Sequence, residues 1–170
     1  MGLPLAVDVG RSGTPVLGFD IAPDLVAGVN AGRSHIGDVD AQAVAELVEA
    51  GRLEATTDMA WLADCDVTSI CVPTPLSKTR DPDLSAVIAA GEAVATALRP
   101  GQLVVLESTT YPGTTTDVLK RLMEARGFVV GRDVYLCFSP ERVDPGNETW
   151  KTHNTPKVMG GTAFRWAPNI

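Results

Sequence analysis

Short apolar runs alternate along this chain with amphipathic stretches of helix length, and that alternation limits its possible folds more than any other feature. A parallel strand covered on both faces reads as a nearly continuous apolar run, and the step to the next parallel strand takes a helical crossover. Residues 16–20, 67–72, 102–107 and 134–138 read as four such strands. Residues 3–12 read as an opening helix. Further on, 40–50 carries Val44, Leu47 and Val48 at helical spacing, with Gly51 as its stop. Pro82-Asp83 opens a second run through Leu98, ended by the Pro100-Gly101 turn. A last helix, 113–126, places Val118, Leu119 and Leu122 on one side and is followed by Gly127.

This order predicts an α/β fold with a doubly wound, Rossmann-like parallel sheet. Such a sheet opens with a strand, a glycine turn and a helix, whereas here only Met1 and Gly2 precede the helix. The expectation is therefore a sheet lacking its first strand, in a domain of residues 1–150 that is incomplete at its N-terminus. Residues 151–170 read as a connector and divergent tail, within a stretch from Pro140 that is rich in Pro, Gly, Asn and Thr. Loss of a central strand leaves backbone groups unpaired, so a poorly soluble or partly ordered product is expected.

Composition narrows the function classes. The net charge of −7 argues against nucleic acid or an anionic membrane as the main partner. Apolar runs such as 103–106 and 67–72 are too short to span a bilayer, and no secretory signal is visible, so a cytoplasmic location is expected. Cys65, Cys71 and Cys137 form no C-x-x-C pair. They fit small buried hydrophobes in a reducing compartment, with no disulfide framework and no metal site expected.

The chemistry gathers at strand ends. Asp20 closes a strand about 20 residues after the first helix starts, where a dinucleotide fold uses an acid to accept from the adenosine ribose hydroxyls. The same charge favours NAD over NADP, although a turn-forming Asp is the plainer reading. Pro73-Thr74-Pro75 ends the next strand and offers a hydroxyl on a rigid exit. After 102–107 come Ser108 and Thr109, read as ligand contacts, and Thr114, Thr115 and Thr116, read as helix caps. Ser139-Pro-Glu-Arg142 follows the last strand, and its carboxylate beside a guanidinium suits either a tuned base or a plain ion pair.

Gly18-Phe-Asp20, Asn30-Ala-Gly-Arg-Ser34, Cys71-Val-Pro-Thr-Pro75, Glu107-Ser-Thr109 and Ser139-Pro-Glu-Arg142 stand in one order. In that order they resemble the nucleotide-sugar 6-dehydrogenases over residues 2–161. The wording Glu141-Arg-Val143 and Asn154-Thr-Pro-Lys-Val158 looks more like the UDP-N-acetylhexosamine branch than the UDP-glucose branch. The resemblance implies oxidation of a sugar C6 alcohol to a carboxylate with successive reduction of two NAD molecules. It implies that Asp20 holds the adenosine ribose and that Thr74 and Thr109 contact NAD. It further implies that Thr109 helps place a water and that Glu141 is the general acid or base working with it. Arg142 and Val143, with Glu141, would touch the UDP-sugar, and full-length relatives are expected to be homo-oligomers.

The chain departs from the family pattern in several places. Of the family's Gly-x-Gly-x-x-Gly turn, only the last glycine has a counterpart, Gly2. Leu25 stands where the family has Lys or Arg, and the tail after Gly161 no longer follows it. The family's thiol nucleophile belongs to segments after position 170, so the 170-residue chain alone is expected to lack full turnover. The alternative is a non-enzymatic fragment or partner subunit that binds nucleotide or a second chain.

Overall fold

The computed structural model of the chain describes residues 2–76, 82–140 and 154–161. Its elements, in order, are α1 (Gly2–Arg11), β1 (Val16–Phe19), α2 (Pro23–Asn30), α3 (Ala41–Glu49) and β2 (Leu53–Thr56). A 3-10 helix (Met59–Asp64), β3 (Val67–Ile70), α4 (Ser85–Ala97) and β4 (Leu103–Leu106) follow. A π-helical stretch (Thr114–Leu119) then runs into α5 (Lys120–Glu124), before β5 (Tyr135–Phe138) and β6 (Gly160–Gly161). No helix of the described residues is long and apolar enough to cross a membrane.

Met59 closes a first compact unit and Ala60 opens a second, to which Lys157 and β6 also belong. In the first unit β1 and β2 pair in parallel, Val16 opposite Leu53 and Phe19 opposite Thr56. Their core takes Val7 from α1, Val29 from α2, Ala43, Val44 and Leu47 from α3, and Leu53 and Ala55 from β2. The start of α3 is fixed locally, because the Asp40 side chain accepts the Gln42 amide at 3.0 Å. Asn30 finishes the open side of β2. Its side-chain Nδ2 donates to Ala55 O at 2.8 Å and its Oδ1 accepts the Ala55 amide at 2.7 Å, as a neighbouring strand would.

The second unit holds the order β3-β4-β5-β6. β3, β4 and β5 are parallel with Ile70, Leu106 and Phe138 in one row, and β6 joins β5 antiparallel. All four residues of β4 are buried. Val87 of α4, Leu119 of the π-helical stretch and Met123 of α5 are also fully buried. Gly91 lets α4 come close: a Cβ there would stand 2.6 Å from Leu119 Cδ2 and 3.0 Å from Leu122 Cδ1. At the amino ends of the strands, Arg99 Nε donates to Ala63 O at 2.7 Å and Gln102 Nε2 donates to Leu62 O at 3.1 Å. That end is closed by these bonds, and the loops that carry chemistry leave from the other.

The described strands form a two-stranded parallel sheet and a four-stranded one to which β6 adds an antiparallel edge, the α/β, Rossmann-like class expected, with no strand ahead of α1 among the described residues. β2, β6 and α2 carry no readable signal: β2 mixes Leu53 and Ala55 with Glu54 and Thr56, β6 has two residues, and α2 is weakened by Gly28 and Asn30. Two expectations need correction. Full cover on both faces holds for β4 but not for β3, where Val67 is 54% exposed. Second, the Thr114–Thr116 hydroxyls cap nothing. Thr114 Oγ1 donates to Tyr111 O at 2.9 Å and Thr116 Oγ1 to Gly113 O at 3.1 Å, ahead of a start with no side-chain cap bond.

Candidate functional site

In the first unit Asp20 stands immediately after β1, its amide bonded to Thr56 O at 3.3 Å. Asp20 Oδ1 accepts the Ala22 amide at 2.9 Å, the local turn bond expected of such an aspartate, and the residue is exposed. Beside it Ile21 is 87% exposed. A carboxylate next to an exposed aliphatic side chain at a parallel strand's carboxyl end suits a ribose diol carrying a flat base. Ile21 escaped the sequence reading because an isoleucine after a strand looks like more strand.

In the second unit the carboxyl ends of three adjacent strands line up. The row Ile70, Leu106, Phe138 puts Cys71, Glu107 and Ser139 next to one another at the rim. The amides of Glu107 and Ser108 both reach Ile70 O, at 3.0 and 3.2 Å, and the Ser139 amide reaches Leu106 O at 3.0 Å. Ser108 Oγ donates to Val72 O at 2.7 Å, tying the exits of β3 and β4 together. Ser108 is fully buried, so its hydroxyl is a strut between strands and not the ligand contact expected. Thr109, the next residue, is exposed, and Thr74 on the neighbouring exit is half-buried.

Of the predicted site residues, the structure thus brings Thr74 and Thr109 to the ends of adjacent parallel strands. Asp20 belongs to the first unit. Glu141, Arg142 and Val143 lie outside the described residues. Two features at this rim were missed. Ser139 is 1% exposed and its hydroxyl has no hydrogen-bond partner among the described residues, an arrangement costing about 1–3 kcal/mol unless a ligand or water completes it. Glu107, also buried, is paired through Oε2 with Lys157 Nζ at 2.6 Å.

None of the three thiols is prepared for nucleophilic work. Burial pushes the Cys71 thiol up, and the Glu107 carboxylate adds to that while the Ser69 hydroxyl opposes it. Burial likewise raises Cys137, again with Glu107 contributing. Cys65 is raised by burial and by Asp64 and Asp66. A thiol kept protonated is a poor nucleophile.

The NAD-binding domain of the UDP-glucose/GDP-mannose dehydrogenase family matches residues 1–166. The chain belongs to this family. It is 37% identical over 163 residues to UDP-N-acetyl-D-glucosamine 6-dehydrogenase of Pseudomonas aeruginosa, covering 95% of this chain and 38% of that protein. Against UDP-N-acetyl-D-mannosamine dehydrogenase of Pyrococcus horikoshii it is 36% identical over 169 residues, 98% of this chain and 40% of that protein. The solved structure of the UDP-D-ManNAc dehydrogenase from Pyrococcus horikoshii superposes with a TM-score of 0.85 at 34% identity, over 96% of this chain and 39% of that one. A ternary complex of GDP-mannose dehydrogenase from Pseudomonas aeruginosa gives 0.81 at 30% identity, over 84% of this chain and 34% of that one. The chain therefore spans about two fifths of the length of these relatives, and within it the family's cofactor is NAD.

The strand ends fit that cofactor. In the first unit an exposed carboxylate stands beside an exposed aliphatic side chain; in the second, exposed and half-buried threonines leave adjacent strand ends beside a buried hydroxyl, and each set by itself offers groups that can hydrogen-bond a nucleotide.

Proposed function

We propose that this chain is the cofactor half of a UDP-sugar 6-dehydrogenase acting on a UDP-N-acetylhexosamine, in the cytoplasm. The observation that carries the reading is the polar carboxyl rim of β3, β4 and β5, set beside the N-acetylhexosamine dehydrogenases among its relatives. When bound, NAD accepts the hydride that leaves the sugar carbon. Asp20 holds the adenosine ribose through its exposed carboxylate, whose charge disfavours a 2′-phosphate. Thr74 and Thr109 present hydroxyls to the cofactor. Thr109 also orients a water, and Glu141 takes that water's proton, a division of labour suited to a hydroxyl and a carboxylate. Arg142 and Val143 meet the nucleotide-sugar with Glu141.

The test is NADH formation by the whole protein that carries this domain, supplied with UDP-N-acetylglucosamine, UDP-N-acetylmannosamine or UDP-glucose. An N-acetylhexosamine is expected to be preferred at least about tenfold, since a site that pairs a substrate amide leaves buried polar groups unpaired with its analogue. Thr109→Ala is expected to lower kcat by about 10²-fold. Faster turnover of UDP-glucose, or an unaffected Thr109→Ala enzyme, contradicts the assignment. None of Cys65, Cys71 and Cys137 matches the family's thiol nucleophile, so the 170-residue chain alone is expected to give no sustained turnover.

A further inference from the structure

Glu107 and Lys157 belong to two motifs that the cofactor and substrate assignments leave without a role. Their side chains are 7% and 28% exposed, and Lys157 Nζ lies 2.6 Å from Glu107 Oε2. The strand order is β4-β5-β6, and Lys157 stands three residues before β6. To reach Glu107, just past β4, its side chain crosses the carboxyl end of β5. There the chain leaves β5 through the unpartnered Ser139, and leaves β4 through Ser108 and the exposed Thr109. β6 contributes only Gly160 and Gly161 to its pairing with β5, too little contact to fix a register unaided. The contact closes 50 residues of chain. An apolar pair of similar size would hold such segments about as firmly. What a short charge-assisted bond adds is direction: it fixes the distance between two defined atoms.

We infer that the Lys157–Glu107 pair is a latch across the carboxyl rim of β4, β5 and β6. It positions the Thr109 and Ser139 exits for the cofactor, and this second part rests on the NAD reading above. Both are positioning residues.

The experiment compares the parent chain with Lys157→Met, Lys157→Arg and Glu107→Gln, by residue-resolved amide exchange and by NADH affinity. In Lys157→Met, the rim amides of Glu107, Ser108 and Ser139 are expected to exchange about tenfold faster, while Val104 and Leu136 in mid-strand change less than about twofold. NADH affinity is expected to fall about tenfold. Glu107→Gln is expected to match Lys157→Met, and Lys157→Arg to restore both readouts to within about threefold. Unchanged or uniformly faster exchange overturns the latch, as does an arginine variant no better than methionine. A loosened rim with parental NADH affinity overturns the positioning. A parent chain that binds no NADH sinks the NAD reading, and the latch is then judged on exchange alone. Should Lys157→Met not fold, the double variant Glu107→Met with Lys157→Met leaves no buried unpaired charge. It is expected to fold with mid-strand protection intact and the rim loosened; a rim as protected as the parent's overturns the latch.

Discussion

Ser108 and Ser139 bring the same hydroxyl to the ends of neighbouring strands under opposite circumstances. Ser108 Oγ donates to Val72 O at 2.7 Å, whereas Ser139 Oγ is buried without a partner. Removing a bonded hydroxyl loses its bond and leaves a carbonyl short, while removing an unpaired one relieves a desolvated group. Ser108→Ala is therefore expected to cost about 1–2 kcal/mol in thermal or urea unfolding, and Ser139→Ala to be neutral or to raise the midpoint. Equal losses in the two variants would show that Ser139 has a partner in the free chain. The turn at Asp20 was legible in the sequence, because an aspartate just after a strand readily accepts the backbone amide two residues on. The contrast between the serines was not legible, because it depends on which strand carbonyl each hydroxyl meets. Asn30 is a middle case: its motif was visible, but not that its side chain stands in for a strand along β2.

At the scale of elements, helix α4 and the segment opposite it depend on two glycines. Gly113 holds a φ of +97° just before the π-helical stretch, a backbone state that side chains resist, and a Cβ there would meet Asp117 Oδ2 at 2.7 Å. Gly91 is a packing requirement, since Leu119 and Leu122 occupy the space a methyl would need. Gly91→Ala raises helix propensity and would stabilise an isolated helix, yet here it is expected to destabilise the chain by about 1–3 kcal/mol, measured by chemical denaturation. A stabilised variant would mean that α4 stands further from its neighbour than the structure has it. The apolar periodicity showed where this helical segment runs, but not its π-helical opening, because one inserted residue per turn leaves the same face apolar. The strands β1, β3, β4 and β5 were legible as apolar runs, each one to two residues too long, because the runs extend past the paired residues at one end or the other. β2 escaped because Leu53, Glu54, Ala55 and Thr56 alternate over too few residues to stand out.

The whole molecule carries a surplus of acids, and two of them contribute to its response to pH through the way they are held. The Ser85 amide and hydroxyl keep Asp83 below the usual carboxylate range. Arg132, together with the Val129 amide, does the same for Asp133. A carboxyl lowered in the folded state contributes stability that is present above its unfolded value and lost as pH falls through the folded one. The unfolding midpoint is therefore expected to drop as pH falls below about 4, and less steeply in Asp133→Asn. An equal slope in that variant would place the acid sensitivity elsewhere. The α/β class and the family were legible from the sequence because strand-end motifs survive as words in one order. The division into two sheets was not, because it depends on strand order, which apolar runs do not encode. Under the function proposed above, the exposed Asp20 carboxylate holds the adenosine ribose of NAD. Isothermal titration of the chain with NADH and NADPH, for the parent and for Asp20→Ala, decides this. Saturable NADH binding is predicted, at least about tenfold tighter than NADPH, with the preference lost in Asp20→Ala. A parent chain that binds neither nucleotide, or an Asp20→Ala variant with the full preference, would contradict it.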